Sequence, residues 1–151
     1  MNENRMPVPL ESAETAMVVR WAQWHEQKWP ELELLYHIPN EGKRSVVTGA
    51  HMKMQGMKSG VPDLHLPVPR GTSHGLYVEM KRRKGETPTQ DQADWLEKLD
   101  KQGYCVCWAR GWEEAAQAIK EYLMHGKVTY NPTRGRAGQY HAREVGAGCE
   151  V

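Results

Sequence analysis

The segment Leu76-Tyr77-Val78-Glu79-Met80-Lys81 constrains the fold more than any other part of the chain. Leu76, Val78 and Met80 alternate with Tyr77, Glu79 and Lys81, the two-residue period of a β-strand. One face of that strand must lie in a core. The other carries a carboxylate and an ammonium about 6–7 Å apart. Upstream, Gly60-Val61-Pro62-Asp63 puts an aspartate just after a turn, ahead of the short apolar run Leu64-His65-Leu66. If the two runs are neighbouring strands joined by the hairpin-like loop from Pro67 to His74, the acids and the amine meet. A carboxylate to hold a hard cation and an ammonium to hold an anion are what phosphodiester cleavage needs at one place.

The rest of the chain supplies layers to cover that sheet. Residues 11–29 have helical spacing at Met17, Val18, Trp21, Ala22 and Trp24, and Pro30 ends the segment. Leu34 to Ile38 reads as a short buried strand closed by Pro39-Asn40. Residues 45–57 suggest a second helix, weakened by Gly49 and Gly56. Residues 89–102 form the clearest helix. Thr89 is its N-cap, Gln92 stands at the capping-box position, Trp95, Leu96 and Leu99 form the apolar face, and Gly103 stops it. Tyr104 to Ala109 is a buried strand. Trp112 to Met124 is an amphipathic helix with Ala115, Ala116, Ile119 and Leu123 inward, ending near Gly126. This alternation predicts an α/β domain over 1–126, a mixed sheet with helices on its faces. After Lys127 periodicity is lost, and 127–151 is expected to be a flexible, Gly- and Arg-rich extension.

The 151 residues suffice for one domain with a real core. No apolar run approaches the roughly 18 residues a membrane span needs, and MNENRMPVPL lacks a secretory pattern. Cys105 and Cys107 share a strand face and Cys149 lies in the Gly-rich tail, so no disulfide framework is expected and a reducing, cytoplasmic setting fits. No second Cys/His pair stands at zinc-ligand spacing. The formal net charge is only +1, but its distribution is uneven. Lys43, Arg44, Lys53 and Lys58 are the only charged residues from Gly42 to Gly60, and Lys81-Arg82-Arg83-Lys84 follows the acids directly. Basic flanks let a polyanion approach carboxylates, so Lys43, Arg44, Lys53, Lys58, Arg82 and Arg83 are candidate nucleic-acid contacts.

Magnesium or manganese takes oxygen ligands in near-octahedral array and keeps several waters. Asp63 and Glu79 supply two oxygens, and the backbone carbonyl of Met80 is placed to add a third. Lys81 can orient or deprotonate the attacking water and stabilise charge on phosphorus. Taken singly these residues have plainer roles: Asp63 as a turn aspartate, Glu79 and Lys81 as an edge-strand ion pair. Gln92 can serve the helix cap alone, Asn40 and Glu41 the turn. His37 and His65 are expected to be packed or hydrogen-bonded. Trp21, Trp24 and Trp95 read as core or interface, not base-stacking platforms.

Pro62-Asp63 with Glu79-Met80-Lys81 resembles the PD-(D/E)xK nuclease signature. Around it, His37-Ile38-Pro39-Asn40-Glu41-Gly42, Gly56 to Leu64, Tyr77 to Lys81, Gln92-Ala93-Asp94-Trp95 and Gly103-Tyr104 resemble the VRR-NUC branch, especially its short stand-alone phage type. The resemblance implies a restriction-endonuclease-like core and a Mg²⁺- or Mn²⁺-dependent phosphodiesterase acting on DNA. It implies metal binding by Asp63 and Glu79, catalysis by Lys81 and a supporting role for Gln92. It also implies a metal-binding glutamate on the first helix. Glu11 is selected by its distance to Trp21, with Glu14 one turn away as competitor. Family members often carry glutamine four residues after that glutamate, where this chain has Thr15. Stand-alone members can act as dimers, which would suit a symmetric junction; flaps are another candidate substrate. Two rival readings are a non-catalytic DNA-binding accessory of a phage replication or packaging system, and a hydrolase of small phosphate esters.

Overall fold

Short apolar strands alternating with helices build a four-stranded mixed sheet, as a computed structural model describes it for residues 8–39 and 46–128. The helices are α1 (Glu11–His25), α2 (Val46–Met54), α3 (Gln90–Lys101) and α4 (Trp112–His125). The strands are β1 (Tyr36–His37), β2 (Leu64–Leu66), β3 (Leu76–Lys81) and β4 (Cys105–Arg110), in spatial order β1-β2-β3-β4. β1 and β2 pair antiparallel, as do β2 and β3, and β4 joins β3 in parallel. A parallel neighbour needs a crossover, and α3 supplies it.

The alternation along β3 sorts its side chains as expected. Leu76, Val78 and Met80 are fully buried in the main core with Leu64 and Leu66 of β2, Val18, Trp21 and Ala22 of α1, and Ala115, Ile119 and Tyr122 of α4. Each large apolar side chain buried this completely contributes about 1.5–3 kcal/mol. On the opposite face α3 lays Leu96 over Val106 and Trp108, with Tyr77, Leu99 and Tyr104 at the margin. Asp63, Glu79 and Lys81 share the parity of this second face. β3 is therefore covered on both sides, and its acid and amine are buried.

α3 starts with both halves of a capping box. The Gln92 N–H donates to Thr89 Oγ1 (3.4 Å), and Thr89 N–H donates to Gln92 Oε1 (2.8 Å). The loop between β2 and β3 closes through a bridge between Arg70 and Ser73.

Several expectations need adjustment. The segment after Pro30 is first a 3-10 turn, Pro30–Leu34, which buries Leu32. The strand that follows is two residues long and exposed, because it lies at the sheet edge with β2 on one side only. α1 stops at His25, ahead of a short turn. α2 exists but buries nothing, leaving Val46, Val47 and Met54 at 90%, 80% and 84% exposure. At the far end the core takes in Val128, while 129–151, most of the expected extension, lies outside the described residues. Among the described residues no helix is long and apolar enough to cross a membrane. Cys105 and Cys107 are free thiols, with burial pushing Cys105 up to about 12.

Candidate metal centre

The ladder between β2 and β3 ends where Pro62, which has no N–H, stands ahead of Asp63. Met80 N–H on β3, beyond the last paired residues, donates instead to the Asp63 carboxylate, with Oδ2 accepting at 2.7 Å. The Asp63 carbonyl is held from β1, by the Ile38 N–H at 2.7 Å and the His37 Nδ1 at 2.9 Å. An extended residue directs its N–H and C=O to the same side, so the Met80 carbonyl faces the side on which Asp63 lies. Gly60 sets the approach of the preceding turn. Its φ is +85°, and a Cβ there would sit 2.7 Å from the backbone of Asp91 in the first turn of α3. Only glycine lets the turn close this tightly.

Glu79 follows on the same face of β3 and is 1% exposed; Lys81 is 5% exposed. α1 packs on the other face of the sheet, yet its first residue comes to the end of β3. Glu11 Oε1 lies 3.9 Å from Lys81 Nζ, and Glu79 Oε1 lies 3.6 Å from it. Glu11, Asp63 and Glu79 each bring one carboxylate oxygen within 4.8 Å of the other two. Three acids so close, two of them buried, repel one another unless a cation lies among them. An all-oxygen donor set is also what hard divalent ions prefer. Gln92 is buried at the start of α3, where the cap uses its Oε1 and leaves its amide nitrogen as a donor.

Glu14, the competing glutamate, goes elsewhere. It is 1% exposed and accepts from Arg83 Nε at 2.6 Å and from the Trp112 N–H at 2.8 Å. Arg83 also donates to Glu113 at 2.6 Å, and these acids raise its pKa further. This network was missed at the level of sequence. The signal available was a second glutamate one helical turn after the first.

The basic residues divide. Lys53 and Lys58 are exposed; Arg82 donates to the Val8 carbonyl, and Arg83 is held by Glu14 and Glu113. Lys43 and Arg44 lie outside the described residues, as do Asn40 and Glu41. His65 stacks flat on Tyr77 with ring centroids 4.1 Å apart, and burial lowers its pKa. Register places Tyr36, His65 and Tyr77 in one row across three strands, with the Tyr36 hydroxyl 2.8 Å from His65 Nδ1. Trp21 is core, Trp95 half-buried, and Trp24 is 71% exposed.

The sequence model of the VRR-NUC domain family matches residues 8–113, well over half of the chain. Among solved structures, a VRR_NUC domain protein superimposes with a TM-score of 0.68 at 29% identity. That match covers 81% of this chain and 94% of the other. No curated protein matches the chain.

Proposed function

Because the chain belongs to the VRR-NUC family, a nuclease-type family, we propose that it is a metal-dependent DNA endonuclease built on Glu11, Asp63, Glu79 and Lys81. The observation that carries this reading is the convergence of three carboxylate oxygens within 4.8 Å, with the Lys81 ammonium beside them. Ligands about 2 Å from a hard divalent ion such as Mg²⁺ or Mn²⁺ would stand about 3 Å apart, so the carboxylates, now within 4.8 Å, would draw in by side-chain rotation on binding. Asp63, Glu79, Glu11 and the Met80 carbonyl would hold it. When bound, the cation supplies Lewis acidity toward a phosphoryl oxygen and a lowered pKa for water.

Hydrolysis joins a water oxygen to phosphorus, breaks one P–O ester bond and leaves the departing oxygen to take up a proton. Negative charge grows on the phosphoryl oxygens meanwhile. Lys81, fixed between Glu11 and Glu79, donates hydrogen bonds to the attacking water and to that growing charge. The family resemblance assigns Gln92 a supporting polar role, which its amide nitrogen could fill as a neutral donor. Exposed Lys53 and Lys58 contact DNA phosphates, together with Lys43, Arg44, Arg82 and the outer part of Arg83.

The exposed apolar residues of α2 support a homodimer, and a two-fold pair of sites suits a four-way junction better than a flap. The motif resemblance carries the further reading of a phage- or prophage-type protein acting in the host cytoplasm. Cleavage of labelled duplex, flap and junction DNAs with Mg²⁺ or Mn²⁺, beside sedimentation analysis, tests these points. EDTA should silence cleavage and Mg²⁺ restore it. Unchanged cleavage by Lys81→Ala would overturn the mechanism. Gel shifts without product at every Mn²⁺ concentration would favour a DNA-binding accessory.

A further inference from the structure

We propose that Glu14 and Arg83 are positioning residues that pin the first turn of α1, so that Glu11 is delivered to the metal centre. The inference rests on the functional reading above and deepens it.

Glu11 is the first residue of α1, where a helix is most prone to fray. The preceding Leu10 offers no side-chain cap, and the local hold on the turn rests on backbone bonds to the Leu10 carbonyl and the Thr15 hydroxyl on the Glu11 carbonyl. Glu14 lies one turn on and is tied down on two sides. Its carboxylate accepts from Arg83 Nε at 2.6 Å and Arg83 Nη2 at 3.4 Å, and from the Trp112 N–H at 2.8 Å. The last bond gives α4 a cap that its own Gly111 cannot provide, because glycine has no side chain. A carboxylate at a helix N-terminus also meets the positive end of the dipole. Glu14 therefore fastens α1 to α4 and to the chain leaving β3.

The other end of the clamp is equally close to the chemistry. Arg83 stands two residues beyond Lys81, and the Lys81 carbonyl accepts the Gly111 N–H at 3.1 Å. The arm of Arg83 crosses Gly111 so closely that a Cβ there would lie 3.1 Å from Arg83 Cγ and 3.3 Å from Nε. Gly111 has φ +85° as well, so the position suits glycine twice over. Arg83 then reaches Glu113 at 2.6 Å with Nη2. One guanidinium thus spans two acids on two helices, a planar fork that lysine cannot reproduce. A metal-binding Glu11 and a catalytic Lys81 are both set by this one joint.

The test is Mn²⁺ titration of the full chain by electron paramagnetic resonance, beside the Mg²⁺ dependence of cleavage, for Glu14→Gln, Arg83→Lys and Glu11→Gln. Glu14→Gln should weaken Mn²⁺ binding roughly 10-fold, as loss of groups that orient metal ligands does. Most cleavage should return at saturating Mg²⁺. Adding Glu14→Gln to Glu11→Gln should cost no further Mn²⁺ affinity, because the ligand it positions is already gone. Arg83→Lys should behave as Glu14→Gln does, and serves if Glu14→Gln fails to fold. Mn²⁺ affinity unchanged in the folded variants, or fully additive losses in the double variant, overturns the inference alone. Absence of Mn²⁺ binding by the unsubstituted protein overturns the metal reading and the inference with it.

Discussion

Two acidic clusters sit one turn of α1 apart and use the same kinds of residue in opposite ways. Around Arg83, one guanidinium donates to Glu14 and to Glu113 at 2.6 Å, and the Trp112 N–H at the start of α4 donates to Glu14 at 2.8 Å, contacts typical of charge-assisted hydrogen bonds. Around Lys81, three carboxylates face one ammonium whose nearest acidic oxygens stand at 3.6 and 3.9 Å. The first arrangement has nothing more to gain from an added ion. The second gathers three carboxylate oxygens within 4.8 Å of one another, a donor set suited to a hard divalent cation. Composition alone cannot separate a closed ion network from a candidate metal centre; the difference in closure does.

The largest expected break in the comparison is catalytic. Lys81→Ala should lower the single-turnover cleavage rate by about 10²–10³-fold or more, the scale of losing a donor to developing charge. DNA binding by gel shift should persist, and Arg83→Lys should cost far less at saturating Mg²⁺.

Stability should respond with opposite sign in the two clusters. Glu14→Gln removes the charge of a buried, fully bonded acid and should destabilise the metal-free protein by about 2–3 kcal/mol in urea denaturation. Glu79→Gln relieves repulsion among crowded acids and should leave metal-free stability unchanged or raised by about 1 kcal/mol. It should also abolish the rise in melting temperature that Mg²⁺ gives the unsubstituted chain by binding the folded state. Equal losses in the two variants would erase the distinction.

A smaller effect concerns the capping box of α3. Thr89→Ala should cost about 1 kcal/mol of stability by melting, with a modest loss of cleavage as Gln92 loses its partner.

The smallest is a pH effect in the aromatic row. Burial lowers the pKa of His65 from 6.5, so below that value the unfolded chain binds more protons than the folded one. The His65 contribution is therefore complete above pH 6.5 and is lost as pH falls toward the folded value. The decline in melting temperature from pH 7 downward should be shallower in His65→Gln than in the unsubstituted protein.

Much of this architecture could be read before any coordinates. The alternation in β3 anticipated which residues enter the core, and Thr89 with Gln92 marked the start of α3 to the residue. Both are local patterns, set by a two-residue pleat and a three-residue capping distance. The edge strand was harder. Leu34 to Ile38 is apolar enough for a buried strand, but whether a strand lies inside a sheet depends on pairing with segments far along the chain. α2 illustrates the same limit, since its valines and methionine carry no signal of their exposure.

What the amino-acid order alone determined is therefore the set of elements, the face that β3 buries, and the arrival of Asp63, Glu79 and Lys81 at one side of a sheet. Only tertiary packing decided that Glu11 enters this group while Glu14 joins Arg83. The physical reason is rotational. Residues three apart on a helix differ by roughly 60° around its axis, and that angle is set by how Val18, Trp21 and Ala22 seat α1 on the core.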